Sequence, residues 1–220
     1  MTTTMELIAT LTANPKPVRR LRPPVERACY WLLLGAIVPA LVGIGHGLRP
    51  DFALQVADER FGIGLSASLL TGILAAIATF TLSLPDRSRL YALLPAPTAL
   101  VWISTIGIGC LTNWVSLGPD GVRAGEALSC FATAALTSLP MSMAMLLMLR
   151  YAARLRPQLV TWLGGLAVGA LTASAVSLFH DLDATVLILM WTVGVTAMFA
   201  AAGRMFGGRL LKRLAPEQLQ

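Results

Sequence analysis

Six uncharged apolar stretches, each long enough to cross a bilayer as a helix, account for most of this chain. A span takes about 20 residues, because lipid offers no partner to an unpaired backbone N–H or C=O. The stretches are Ala28–Leu48, Phe61–Leu84, a third within Leu90–Pro119, Ala127–Leu149, Pro157–Phe179 and Ala184–Gly203. No linker, low-complexity tract or internal repeat divides them, and all connections are short. The expected fold is therefore all-α: one integral membrane bundle of six transmembrane helices with short polar ends. A composition of 56% hydrophobic and 13% charged residues, with mean hydropathy +0.72, excludes an ordinary soluble domain. The first stretch exceeds a secretory apolar region and precedes no small-residue cleavage site, so it reads as a retained anchor.

Basic residues accumulate on the cytoplasmic side of short loops. One side of the expected bundle holds 14 of the 17 Lys and Arg: Lys16, Arg19, Arg20, Arg22, Arg27, Arg87, Arg89, Arg150, Arg154, Arg156, Arg204, Arg209, Lys212 and Arg213. The other side holds Arg49, Arg60 and Arg123. Both termini are thus expected in the cytoplasm, with the chain multi-pass in a bacterial inner membrane. The net charge of +6 sits beside the spans, where anionic headgroups attract it, and does not point to nucleic acid.

Residues 1–26 are the cytoplasmic segment available to a soluble partner, 27–204 the membrane domain and 205–220 a cytoplasmic tail. Thr3 and Glu6 fit a capping box, and Met5, Leu7, Ile8 and Leu11 supply an apolar face, predicting a short amphipathic helix that ends before Pro15. The basic stretch with Arg19, Arg20 and Arg22 then leads into the first span. Such a helix lies on the bilayer or docks in a partner's groove.

Asp51, Asp58, Glu59, Asp120, Glu126, Asp181 and Asp183 fall on the outer side with His46 and His180, and none of them form a recognised metal-ligand motif. Cys110 and Cys130 flank the third outer turn, whereas Cys29 opens the first span. Two thiols at that depth suit a disulfide, a soft metal, or plain apolar packing. With no ionisable group at mid-depth, no nucleophile–base pair and no cofactor motif, the chain reads as neither an enzyme nor an active transporter. Pro39, Pro95, Pro97 and Pro140 are expected to kink their helices, and Gly43/Gly47 and Gly165/Gly169 to allow close helix approach. Trp31, Tyr91, Trp102, Trp114, Tyr151, Trp162 and Trp191 read as headgroup-level belt residues.

Six segments recur here in a familiar order: MELIATLTANPKPVRRLRPPVER, RPDFALQVADERF, LSLPDRSR, GCLTNWVSLGP, GEALSCF, and FHDLD running on to Trp191. Over nearly its whole length the chain resembles the NrsF family of six-span membrane negative regulators. The resemblance implies an anti-sigma factor that sequesters an extracytoplasmic-function (ECF) sigma factor of the SigF type and releases it under heavy-metal or oxidative stress. Docking would fall to Met5, Leu7, Ile8 and Leu11 with Arg19, Arg20 and Arg22. The family pattern sets one cysteine near the start of the fourth span, matched by Cys130, and a second after a histidine that ends the fifth. Here that histidine is His180 and the next residue is Asp181, so sensing falls to Cys130 with Cys110, or to a mixed metal site of Cys130, His180 and Asp181. No resident cofactor is implied, only a transient heavy-metal ligand. A passive metal or small-solute carrier and a membrane scaffold subunit are the alternatives, from the acidic outer face and the small-residue faces respectively.

Overall fold

The computed structural model describes Met5 and residues 22–47, 52–84, 86–114, 124–149, 157–179, 193–195, 197–198 and 201. The elements are α1 (Pro24–His46), α2 (Phe52–Ala57), α3 (Glu59–Leu82), a 3-10 turn (Arg89–Leu93), α4 (Ala96–Trp114), α5 (Ala124–Leu149) and α6 (Pro157–Phe179), and the described residues contain no strand. Five helices are long and apolar enough to cross a membrane, and they coincide with the first five expected spans. Of the sixth, Ala184–Gly203, only Val193, Gly194, Val195, Ala197, Met198 and Ala201 are described, with Val195 buried in the main core. The rest of that span, the amphipathic segment apart from Met5, and residues 205–220 lie outside the described residues.

Local chemistry accounts for where these helices begin and end. Pro24 occupies the first turn of α1, where a missing N–H costs nothing, and Glu26 complements the helix dipole there. Gly47 closes α1 with φ 79°, a left-handed conformation that suits glycine, and its N–H donates to the Gly43 carbonyl at 2.9 Å. Asp58 caps α3 by accepting from the Arg60 N–H at 3.1 Å, and Ser88 caps the 3-10 turn. Pro39 and Pro140 do sit inside α1 and α5. Pro95 and Pro97 do not act as kinks: they flank Ala96 at the start of α4, where a helix can begin on proline.

α3 and α6 form the antiparallel centre of the bundle. Ser68 and Ser174 share a hydroxyl hydrogen bond of 2.7 Å, Gly72 lies against Leu171, and Gly164 faces Thr79. Buried Ala75, Ala76 and Ala78 on α3 and Ala167, Ala170 and Ala173 on α6 keep the backbones close, the usual packing in lipid, where apolar faces gain nothing by leaving the solvent. A Cβ on Gly72 would stand 2.7 Å from Leu171 Cγ, so this crossing requires glycine. α4 rests on α3 through Trp102, which packs with Ala67, Ala170 and Ala173. α5 packs on α6, and α1 lies across α3 and α5.

Buried threonines and serines return their hydroxyls to carbonyls of their own helices, as in Thr71 to Ala67, Thr79 to Ala75 and Thr137 to Thr133. Among the described residues, Thr172 Oγ1 is buried without a hydrogen-bond partner. The outer surface is apolar: Leu33, Ile37, Leu41 and Ile44 on α1, and Leu139 and Met143 on α5, are all exposed. Water would not tolerate so continuous a patch, whereas lipid tails match it.

Two expectations about side-chain placement are corrected. Trp31 and Trp102 are not belt residues but core, 1% and 5% exposed, because each fits a space lined by small residues or supplies an N–H to a buried acceptor. Arg27, grouped with the lipid-facing basic residues, is 5% exposed inside the bundle.

Candidate docking and sensing regions

Where the chain enters α1, the basic stretch is tied to the helix it precedes. Arg22 Nη1 donates to Glu26 Oε1 at 2.9 Å and to the Tyr30 hydroxyl at 3.2 Å, and the guanidinium lies 5.5 Å from the Tyr30 ring centre. The hydrogen bond and charge of Glu26 raise the Arg22 pKa above its ordinary value, so it stays a cation at any pH the cell meets. Arg22, expected to bind a partner, is thus engaged internally, although its side chain remains largely exposed. Met5 is 78% exposed. Leu7, Ile8, Leu11, Arg19 and Arg20 lie outside the described residues.

One turn further on, Arg27 closes a node that sequence reasoning missed. Its Nη2 donates to the Met148 carbonyl, and its Nη1 reaches Ser83 Oγ at 3.4 Å. The guanidinium also sits 5.1 Å from the centre of the buried Phe80 ring. Among the described residues it has no carboxylate partner. Two other features offset the burial of this charge. Ser83 and Met148 mark the C-terminal ends of α3 and α5, where the helix dipoles are negative, and Phe80 presents the electron-rich face of its ring. Trp31, four residues on and on the same face of α1, donates Nε1 to the Met141 carbonyl at 3.0 Å. The available signal was the i, i+4 spacing of Arg27 and Trp31 behind Pro23 and Pro24, which starts the helix upstream of the apolar stretch.

The expected sensing residues lie toward the opposite end of the bundle. Cys110 is in α4, four residues before its last residue Trp114, and Cys130 is in α5, six residues after its first residue Ala124. At 1.5 Å per residue these are about 6 Å and about 9 Å from the helix ends. His180 and Asp181 lie outside the described residues, immediately beyond the last residue of α6, Phe179. Among the described residues no group of three His, Cys, Asp or Glu is placed to hold a metal ion. Cys29, in the first turns of α1, is an exposed free thiol.

No curated protein and no solved structure matches the chain. The family model described as NrsF, negative regulator of sigma F, matches residues 11–212, which takes in all five described span-capable helices together with the whole basic stretch before α1. With a match of that extent over an all-helical bundle apolar enough to cross a membrane, the chain belongs to the NrsF family of negative regulators of sigma F.

Proposed function

We propose that this protein is a membrane-embedded anti-sigma factor that sequesters an ECF sigma factor of the SigF type at its cytoplasmic face. The family match over residues 11–212 carries the reading, because it joins a sigma-factor regulator to a chain with five span-capable helices. The 14-to-3 division of basic residues supports an inner-membrane topology of six spans with both termini in the cytoplasm. The sigma factor docks on residues 1–26, with Met5, Leu7, Ile8 and Leu11 as apolar contacts and Arg19 and Arg20 meeting acidic residues of the partner. Release follows heavy-metal or oxidative stress at the outer side, through Cys130 with Cys110 or with His180 and Asp181. A ligand there shifts the bundle only by binding one of its arrangements more tightly than the other.

Two measurements test this. The intact protein and a form lacking Met1–Ala13 are purified from native membranes with the sigma factor co-expressed. Retention by the intact form alone is expected, and retention by neither would dismiss the anti-sigma reading. Cys130→Ser should insert normally and lose the stress response; an unchanged response removes Cys130 from the mechanism.

A further inference from the structure

The two ends of α1 are held in different ways. At its basic end Arg27 and Trp31 both donate to backbone carbonyls of α5, at Met148 and Met141. The acceptors stand seven residues apart, about two helical turns, while the donors stand one turn apart on antiparallel α1. Attachment at two levels sets the rotation of α1 about its own axis as well as its distance from α5. Both acceptors are main-chain atoms, so they follow any movement of α5 directly.

At its other end α1 has one close approach to α6: a Cβ on Gly43 would lie 2.9 Å from Phe179 Cε1. Between α1 and α6 runs a groove of about 510 Å³, lined by Pro39, Ala40 and Gly43 on one wall and Leu171, Ser174 and Phe179 on the other. Among the described residues this groove separates the outer half of α1 from α6, whereas the inner half is hydrogen-bonded to α5. Pro140, immediately before the Met141 acceptor, removes one main-chain hydrogen bond from α5, so Trp31 grips that helix beside its weakest point.

The residue that leads into α1 is tied to it: Arg22 is bonded to Glu26 and Tyr30, both on α1, so position 22 follows the rotation and tilt of that helix.

We infer that α1 is a lever pinned to α5 by Arg27 and Trp31, and that this pin sets how the N-terminal segment is presented at the membrane surface. Arg27 and Trp31 are positioning residues: they act on the docking segment through α1 and touch no partner themselves. The consequence for sigma-factor binding rests on the docking reading given above, whereas the mechanical link does not.

The experiment uses the full chain, tagged at its N-terminus, in inside-out membrane vesicles. Trypsin releases the tag by cutting after Arg19 or Arg20, since Pro17 protects the bond after Lys16, and the release rate reports how the segment is presented. Retained sigma factor is measured in parallel. Arg27→Gln with Trp31→Phe should change the release rate about tenfold, the factor expected when roughly one buried hydrogen bond's worth of restraint is lost, and should lower sigma-factor retention. Arg27→Lys, which keeps a cationic donor, should restore part of both effects. Ser68→Ala loosens the α3–α6 contact without touching α1 and should leave the release rate at the wild-type value. If the double variant is poorly inserted, Trp31→Phe alone gives the same comparison at smaller size. A release rate equal to wild type in well-inserted variants overturns the lever. A changed rate in a protein that never retains sigma factor, mutant or wild type, upholds the lever and overturns the docking reading instead.

Discussion

Replacing Gly72 by Ala adds one methyl group at the tightest crossing in the bundle. Its carbon would lie 2.7 Å from Leu171 Cγ, 2.8 Å from Cδ2 and 3.3 Å from the Leu171 backbone nitrogen. Carbon atoms rest comfortably at about 3.5–4.0 Å, so the deficit against Cγ is roughly 1 Å. Cγ is not the free end of its side chain, and the backbone nitrogen behind it blocks a simple rotamer change, so α3 and α6 must separate. Overpacking of this kind costs about 1–3 kcal/mol, against a gain of about 1 kcal/mol for alanine over glycine within a helix. The reference is Gly107→Ala in α4, where the new Cβ meets nothing within 4 Å and the propensity gain stands alone. The two variants should therefore differ by roughly 2 kcal/mol, or about 4–8 °C in Tm for a chain of this size. Thermal unfolding of both proteins in one detergent reads that difference directly. Leu171→Ala should cost less in the Gly72→Ala background than alone, because it removes the atoms in collision. A Gly72→Ala protein that melts at or above Gly107→Ala would refute the close crossing.

Thr172→Val replaces a buried, unpartnered hydroxyl by a methyl of the same shape and should stabilise the bundle by about 1 kcal/mol in the same assay; destabilisation would mean that the hydroxyl has a partner. Ser68→Ala deletes the 2.7 Å bond to Ser174 and should cost only about 0.6 kcal/mol, because interhelical hydrogen bonds in lipid compete with partners available before assembly. Asp58→Ala removes the cap of α3 and should cost about 1 kcal/mol, seen as faster hydrogen exchange at Arg60 and Gly62 with exchange at mid-helix residues such as Ala75 unchanged.

Helix positions were legible because each follows from a local rule. An uncharged apolar run must be helical in lipid whatever packs beside it. Pro157–Phe179 accordingly matches its expected span at both ends, and the α3 and α5 boundaries differ by no more than three residues. The short helix Phe52–Ala57 and the 3-10 turn were not foreseen, since both are short and lie between spans.

Neighbour choice was a different matter. In water a helix shows its buried face by contrast with a polar one, but in lipid the core and the solvent are equally apolar, and the contrast disappears. Hydropathy could therefore not separate Trp31, packed in the core, from the exposed Trp162, nor show that Gly43 approaches a neighbour while Gly47 does not, nor single out Gly72. Arg27 shows the same limit for charge. Standing one residue before an apolar run, it was equally compatible with a headgroup and with the bundle interior. The C-terminal ends of α3 and α5, distant in the chain, converge on it and make the interior favourable. The positions of the first five spans, charge asymmetry and family kinship lie in the order of residues along the chain. The pairing of α3 with α6, the core tryptophans and the Arg27 node arise only where remote segments meet, because lipid leaves no polarity pattern from which to read them.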